Sequence, residues 1–271
     1  MSGRKFHLRL WLLVTGHSPL RAYLHDRGLV LFSSEQYPCK SSSGGGGGGG
    51  GSSSGGGNNS LRPAAAHVTN LARNVNTWVW ELPQLRAHLG EVRWTALWAD
   101  LRRSAAATAA AALGPLRAAH AWLSPRLHDY GFQMVGLDYL IDESMTPWLL
   151  EVNSAPSIMA VHADPGTAEL IRAAKQAMLH DMMRMVSHRI GSSSDSSVSS
   201  SAASHAASCG GGAASSSWRA HLDAELAAAG GFQQLMGEFP VDFMPGITWQ
   251  EADVALREVL VARGLASQLP P

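Results

Sequence analysis

The sequence predicts an α+β lobe, an antiparallel sheet with helices packed against it. Three observations lead there. Residues 5–14 alternate side chains with the period of a strand. Residues 131–142 and 147–153 read as two further strands joined by a short turn. Two segments, one around Trp94 and one after Asp164, repeat apolar residues with the period of a helix.

In the first strand, Phe6, Leu8, Leu10, Leu12 and Val14 share one face, and Lys5, His7, Arg9, Trp11 and Leu13 share the other. The second face therefore begins with three basic or imidazole side chains. Residues 21–25 and 29–34 flank Asp26-Arg27-Gly28, which reads as a turn with glycine at positive φ, so a hairpin is expected there. Residues 41–57 are all Ser and Gly and bury too little apolar surface to offset chain entropy. They are expected to form a disordered insertion in a loop. Further on, Trp94, Leu97, Trp98 and Leu101 recur at i, i+3, i+4 and i+7, and an Ala-rich stretch carries the helix toward Gly114-Pro115. Asp164-Pro165 opens another helix, with Asp as N-cap and Pro in the first turn. Its apolar stripe is Ile171, Ala174, Met178, Met182 and Met185. Residues 191–217 are a second low-complexity tract, read as a disordered linker, and 218–229 and 249–262 look helical. The organisation is thus a lobe over 1–190, a linker over 191–217 and a helical extension over 218–271.

Composition narrows the function classes. The formal net charge is zero, so no global field draws the chain to nucleic acid or to an acidic membrane, although a local basic groove is compatible with it. No apolar run approaches the roughly 20 residues of a membrane span. The apolar residues near the N-terminus are broken by Arg9 and lead to no small-residue cleavage site, which argues against a signal peptide. The two cysteines, Cys39 and Cys209, lie in or beside low-complexity sequence and make neither a disulfide framework nor a metal set. Nine Trp supply large apolar side chains for a core. A Gly-x-x-x-x-Gly-Lys-Ser/Thr loop is absent, as is a Gly-x-Ser-x-Gly elbow between strand and helix.

The chemistry concentrates in residues 135–153. If Asp142 pairs with Pro147 across a four-residue turn, Asp138 falls opposite Glu151, with their Cβ atoms about 4.5–5.5 Å apart. Asn153 follows Glu151 by two and shares its face. Opposed carboxylates repel, and a hard divalent cation with oxygen ligands would compensate them. Two or three protein oxygens suit Mg²⁺ with phosphates completing its shell better than Ca²⁺. The alternative is a solvated hairpin whose acids face water. The flanking Trp148, Leu149, Leu150 and Val152 predict burial and favour the metal.

These residues resemble the tubulin tyrosine ligase-like enzymes. That family carries a Gly-Phe-Asp strand, a Pro-Trp-Leu-Leu-Glu-Val-Asn strand and then Ser/Ala-Pro-Ser. Here stand Gly136-Leu137-Asp138, Pro147-Trp148-Leu149-Leu150-Glu151-Val152-Asn153 and Ala155-Pro156-Ser157. Upstream, Lys5-Phe6-His7-Leu8-Arg9 is similar to the family's Lys-Phe-Asp-Leu-Arg, and His67-Val68-Thr69-Asn70 to its His-Leu-Thr-Asn. Gly230-Gly231-Phe232 resembles the start of its closing stretch.

The resemblance implies an ATP-grasp-like C-terminal lobe, incomplete at the N-terminus because the chain begins inside the clamp that grips ATP. It implies Mg²⁺ held by Asp138, Glu151 and Asn153, nucleotide contacts from Lys5, Thr69 and Asn70 with His67 close by, and Arg9 facing the transferred phosphate. The implied reaction adds an amino acid, glutamate before tyrosine or glycine, to the C-terminal tail of tubulin through an acylphosphate. The implied location is the cytoplasm and cytoskeleton, with the cilium or basal body included. The pattern departs at two positions. His7 stands where the family has an ATP-contacting Asp, and Leu31 where it has an Arg that engages the incoming amino acid. Those departures favour a rival reading, a non-catalytic remnant that binds tubulin or a partner ligase.

Overall fold

The computed structural model describes residues 4–17, 19–36, 78–122, 131–191 and 214–235. Six strands form one sheet: β1 (Arg4–His17), β2 (Leu20–Gln36), β3 (Val79–Glu81), β4 (Gln133–Ile141), β5 (Pro147–Asn153) and β6 (Phe232–Gln234). Their order is β3-β2-β1-β4-β5, with β6 also paired to β2, and every pairing is antiparallel. The helices are α1 (Leu82–Leu89), α2 (Glu91–Ala111), α3 (Leu113–His120), α4 (Pro165–Gly191) and α5 (Ala214–Ala228). No helix among the described residues is long and apolar enough to cross a membrane.

The alternation in β1 divides the core into two layers. Leu8, Leu10 and Leu12 bury against Leu85, Leu97 and Leu101 of α1 and α2. Trp11 and Leu13 face the other way, toward the α4 stripe of Ile171, Ala174, Met178, Met182 and Met185, all of which are buried. Asp164 caps α4 as its position before Pro165 predicts, accepting the Thr167 N–H at 2.7 Å. Gly114-Pro115 does not end helical structure. It occupies the first turn of α3, where a missing N–H leaves no bond unmade.

The expected hairpin at 26–28 is not formed. Residues 20–36 are one strand, and the hairpin partner of β2 is β1. Leu10 pairs with Gly28 and Leu12 with Leu24, so Trp11 alone spans His25, Asp26 and Arg27 in a bulge. Gly28 serves close approach rather than positive φ. A Cβ there would lie 2.7 Å from Leu10 Cδ2 and 2.8 Å from the Arg9 carbonyl oxygen. The bulge is held from outside the hairpin, since β6 pairs with Tyr23–His25 and the Asp26 N–H donates to the Gly231 carbonyl at 2.8 Å.

The boundary drawn at 217/218 from composition falls inside α5, which begins at Ala214. Residues 214–235 belong to the lobe rather than to an appended extension. Leu222 and Leu235 enter the first core layer and Phe232 the second. Glu225 is fully buried, accepting from Tyr23 Oη at 2.8 Å, Thr15 Oγ1 at 2.9 Å and Arg21 Nε at 3.2 Å. The 41–57 tract, residues 192–213 and the 249–262 segment lie outside the described residues.

Burial of β5 was also expected, and the structure corrects it. β5 is an edge strand with Trp148 57% and Leu150 59% exposed. Its apolar side chains stay exposed because none of Trp148, Leu149, Leu150 and Val152 joins either core layer.

Candidate functional site

The strand β4 lies between β1 and β5, and this order assembles the site. Arg9 pairs across with Asp138, and Asp138 pairs on its other side with Glu151. The turn does not place Asp142 against Pro147. The register starts one residue earlier, at Ile141 and Pro147, and continues to Tyr139 and Leu149. An irregularity at Leu150 then inserts one residue, which brings Asp138 opposite Glu151 and Gly136 opposite Asn153. Without that bulge every side chain of β5 beyond it would change face.

Arg9 binds Asp138 with both ends of its fork. Nη2 donates to Oδ2 at 2.7 Å and Nε donates to Oδ1. Asn153 Nδ2 reaches Asp138 Oδ2 at 3.5 Å. Gly136 leaves room for this arrangement, since a Cβ there would lie 3.0 Å from Pro156 Cβ and 3.4 Å from Arg9 Cδ. Arg9, Asp138, Glu151 and Asn153, together with His7, Leu31, most of the 155–163 segment and Lys175 of α4, line a cavity of about 720 Å³.

Burial works against the charge on Arg9, but the hydrogen bond and charge of Asp138, helped by Glu151, raise its pKa above the ordinary value. His7 behaves oppositely. Burial pulls its pKa down to about 4 against the pull of Asp138, and Arg9 and Lys5 lower it further, so the imidazole is neutral at pH 7. Its Nδ1 is buried without a hydrogen-bond partner. No group of three or more His, Cys, Asp or Glu side chains that could hold a metal occurs among the described residues. The oxygen set here is two carboxylates and one amide.

The profile of the Tubulin-tyrosine ligase family matches residues 1–44 and 58–190. The chain belongs to that family. Its relatives include tubulin polyglutamylase ttll6 of Danio rerio, 26% identical over 69% of this chain and 23% of its own length. Tubulin polyglutamylase TTLL13 of Mus musculus is 27% identical over 70% of this chain and 23% of its own. The probable alpha-tubulin polyglutamylase Ttll1 of Tetrahymena thermophila is 26% identical over 72% of this chain and 45% of its own. The chain thus spans between about a quarter and a half of the length of these relatives.

Against this family background, the structure brings Arg9, Asp138, Glu151 and Asn153 to one cavity. Lys5 shares the β1 face of His7 and Arg9 but does not line the cavity. His67, Thr69 and Asn70 lie outside the described residues. Sequence reasoning missed Lys175. Its signal was present, a lone charged residue beside Ala174, between Ile171 and Met178, on the buried face of α4.

Proposed function

We propose that the cavity is one wall of an ATP-dependent ligase site that adds an amino acid, glutamate, to a carboxylate in the C-terminal tail of tubulin. The observation that carries this reading is the convergence of Asp138, Glu151 and Asn153 beside Arg9 in a chain of this family. The relatives' names support tubulin and glutamate as the substrates, and tubulin as the substrate in turn favours a place on the cytoskeleton.

The donor set fits Mg²⁺, which keeps several shell positions for phosphate oxygens and water. Asp138 already faces a positive charge, the Arg9 guanidinium, in the place where a cation would compensate it. Asp138, Glu151 and Asn153 would hold the ion, whose bound charge would neutralise the ATP phosphates. Arg9, released from Asp138, would turn to the transferred phosphoryl group, and Lys5 would meet the nucleotide. On the resemblance alone, Thr69 and Asn70 would line the nucleotide pocket with His67 close by.

In the reaction, an acceptor carboxylate oxygen attacks the γ-phosphorus of ATP, the bond to the β–γ bridging oxygen breaks and ADP leaves. The amine nitrogen of the amino acid attacks the acylphosphate carbonyl, phosphate departs and the nitrogen loses a proton. Positioning and electrostatic stabilisation are the contributions these side chains make.

A second reading, a non-catalytic module that binds tubulin or a partner ligase, has its own support. The cavity wall carries a neutral imidazole at His7 and an apolar side chain at Leu31. The experiment supplies the 271-residue chain with Mg-ATP, tubulin and radiolabelled glutamate, tyrosine or glycine. Glutamate incorporation that disappears in Glu151→Gln supports the ligase. Tubulin binding without incorporation of any label supports the module.

A further inference from the structure

Lys175 is 8% exposed, yet it lines the cavity. Its Nζ makes one hydrogen bond, to the Met159 carbonyl oxygen at 2.6 Å. No carboxylate among the described residues pairs with it. An ammonium buried without an opposite charge is costly, and an apolar residue would avoid that cost. The surroundings make the contrast plain, since Ile171 and Met178 stand one turn away on either side. Lys175 Nζ keeps two further N–H donors.

The charges around the cavity are unequally compensated. Arg9 is neutralised by both oxygens of Asp138. Glu151 lies on β5 across the cavity and forms no ion pair with Lys175 among the described residues. What acts on Lys175 is burial first and then the like charge of Arg9, both of which lower its pKa. The acids therefore lie on the β4–β5 side of the cavity, and the uncompensated cation lies on the α4 side. A ligand matching this distribution places a carboxylate at the α4 end, opposite Lys175.

We infer that Lys175 anchors the carboxylate of the amino-acid substrate against α4, leaving the amine directed toward the Asp138–Glu151 wall. This rests on the reading that the cavity receives an amino acid. It adds the residue that recognises it and the direction in which it lies. Lys175 is a positioning residue in this scheme, because it holds the end of the substrate that does not react.

The test measures equilibrium binding of radiolabelled L-glutamate, and separately of a non-hydrolysable ATP analogue with Mg²⁺, to the 271-residue chain and to Lys175→Met and Lys175→Arg. Lys175→Met should weaken glutamate binding at least tenfold, Lys175→Arg should keep most of it, and nucleotide affinity should stay within twofold in both. Melting temperatures separate recognition from structure. Met is close to Lys in volume and suits the stripe, so Lys175→Met should melt no lower than the parent. Unchanged glutamate affinity in Lys175→Met, or loss of nucleotide affinity in place of glutamate affinity, overturns the inference. Absence of saturable glutamate binding to the parent chain overturns it as well, while the nucleotide arm reports separately on the ligase reading.

Discussion

Two arginines of the β1–β2 hairpin pair with carboxylates from elsewhere in the lobe, and their surroundings differ. Arg21 and Glu225 are both 0% exposed, and Glu225 also accepts from Thr15 and Tyr23. The Arg21 Nη2 donates to the Thr15 carbonyl at 3.1 Å, and Gly16 makes space for the guanidinium, since a Cβ there would lie 2.7 Å from Arg21 Cζ. Arg9 and Asp138 keep 22% and 10% exposure and open onto the cavity. The first pair joins α5 to the sheet within the core. The second holds its charges where a ligand can exchange for one partner. Buried satisfaction marks the structural pair, and accessibility marks the functional one.

Breaking the buried pair should have the largest effect. Glu225→Ala leaves Arg21 charged in the core and removes an acceptor from Thr15 and Tyr23, so it should cost roughly 3–5 kcal/mol of stability. The combined Arg21→Met, Glu225→Leu variant should lose less than Glu225→Ala alone, because no orphan charge remains. Urea titrations followed by circular dichroism check both. A loss under about 1 kcal/mol in Glu225→Ala would mean that the pair does not hold the lobe together.

The cavity side should show its own pH dependence through His7. Its pKa falls from an ordinary 6.5 to about 4 because the neutral ring is buried. Between those values the unfolded chain binds the extra proton, so stability rises with pH across that window and falls on acidification from pH 6.5 toward 4. The contribution is on the order of 3 kcal/mol at most. The buried His25 shifts in the same direction, chiefly by burial. The His7 share is therefore the difference between wild type and His7→Gln, whose stability should vary less over this range. Parallel pH profiles for the two proteins would remove His7 from the account.

What was legible in the sequence follows from what each segment obeys. The β1 alternation and the α4 stripe are local periods with burial on defined faces, and both appear in the two core layers. Asp26-Arg27-Gly28 was misread because a bulge and a turn both draw on glycine. The choice was made by β6, about 200 residues away in sequence, which local pattern does not contain. In the β4–β5 pair the expected facing of Asp138 and Glu151 holds, although the turn register is off by one and the Leu150 bulge restores it. Exposure of β5 depends on the core layers ending short of it, a property of tertiary packing rather than of Trp148 or Leu150 themselves. Lys175 was hidden for the converse reason: a helical stripe is read for its apolar members, and the charged one among them was passed over.

The smallest stability change, and the most informative about the comparison, is expected from Arg9→Gln. Asp138 loses a bidentate partner but retains Asn153 at 3.5 Å and some contact with solvent, so the cost should be about 1–2 kcal/mol, below that of Glu225→Ala. Ligand binding should move the other way. In the parent, both Asp138 oxygens are occupied by Arg9, so a divalent cation must compete with a guanidinium for its carboxylate. Removing the guanidinium leaves Asp138 and Glu151 facing each other with their repulsion uncompensated, which a cation relieves. Mn²⁺ binding without nucleotide, followed by electron paramagnetic resonance, should therefore tighten several-fold in Arg9→Gln and weaken in Asp138→Asn and in Glu151→Gln. If Arg9→Gln instead weakens Mn²⁺ binding, Arg9 supports the metal ligands rather than occupying one of them, and its pair with Asp138 is structural in the same sense as Arg21 with Glu225.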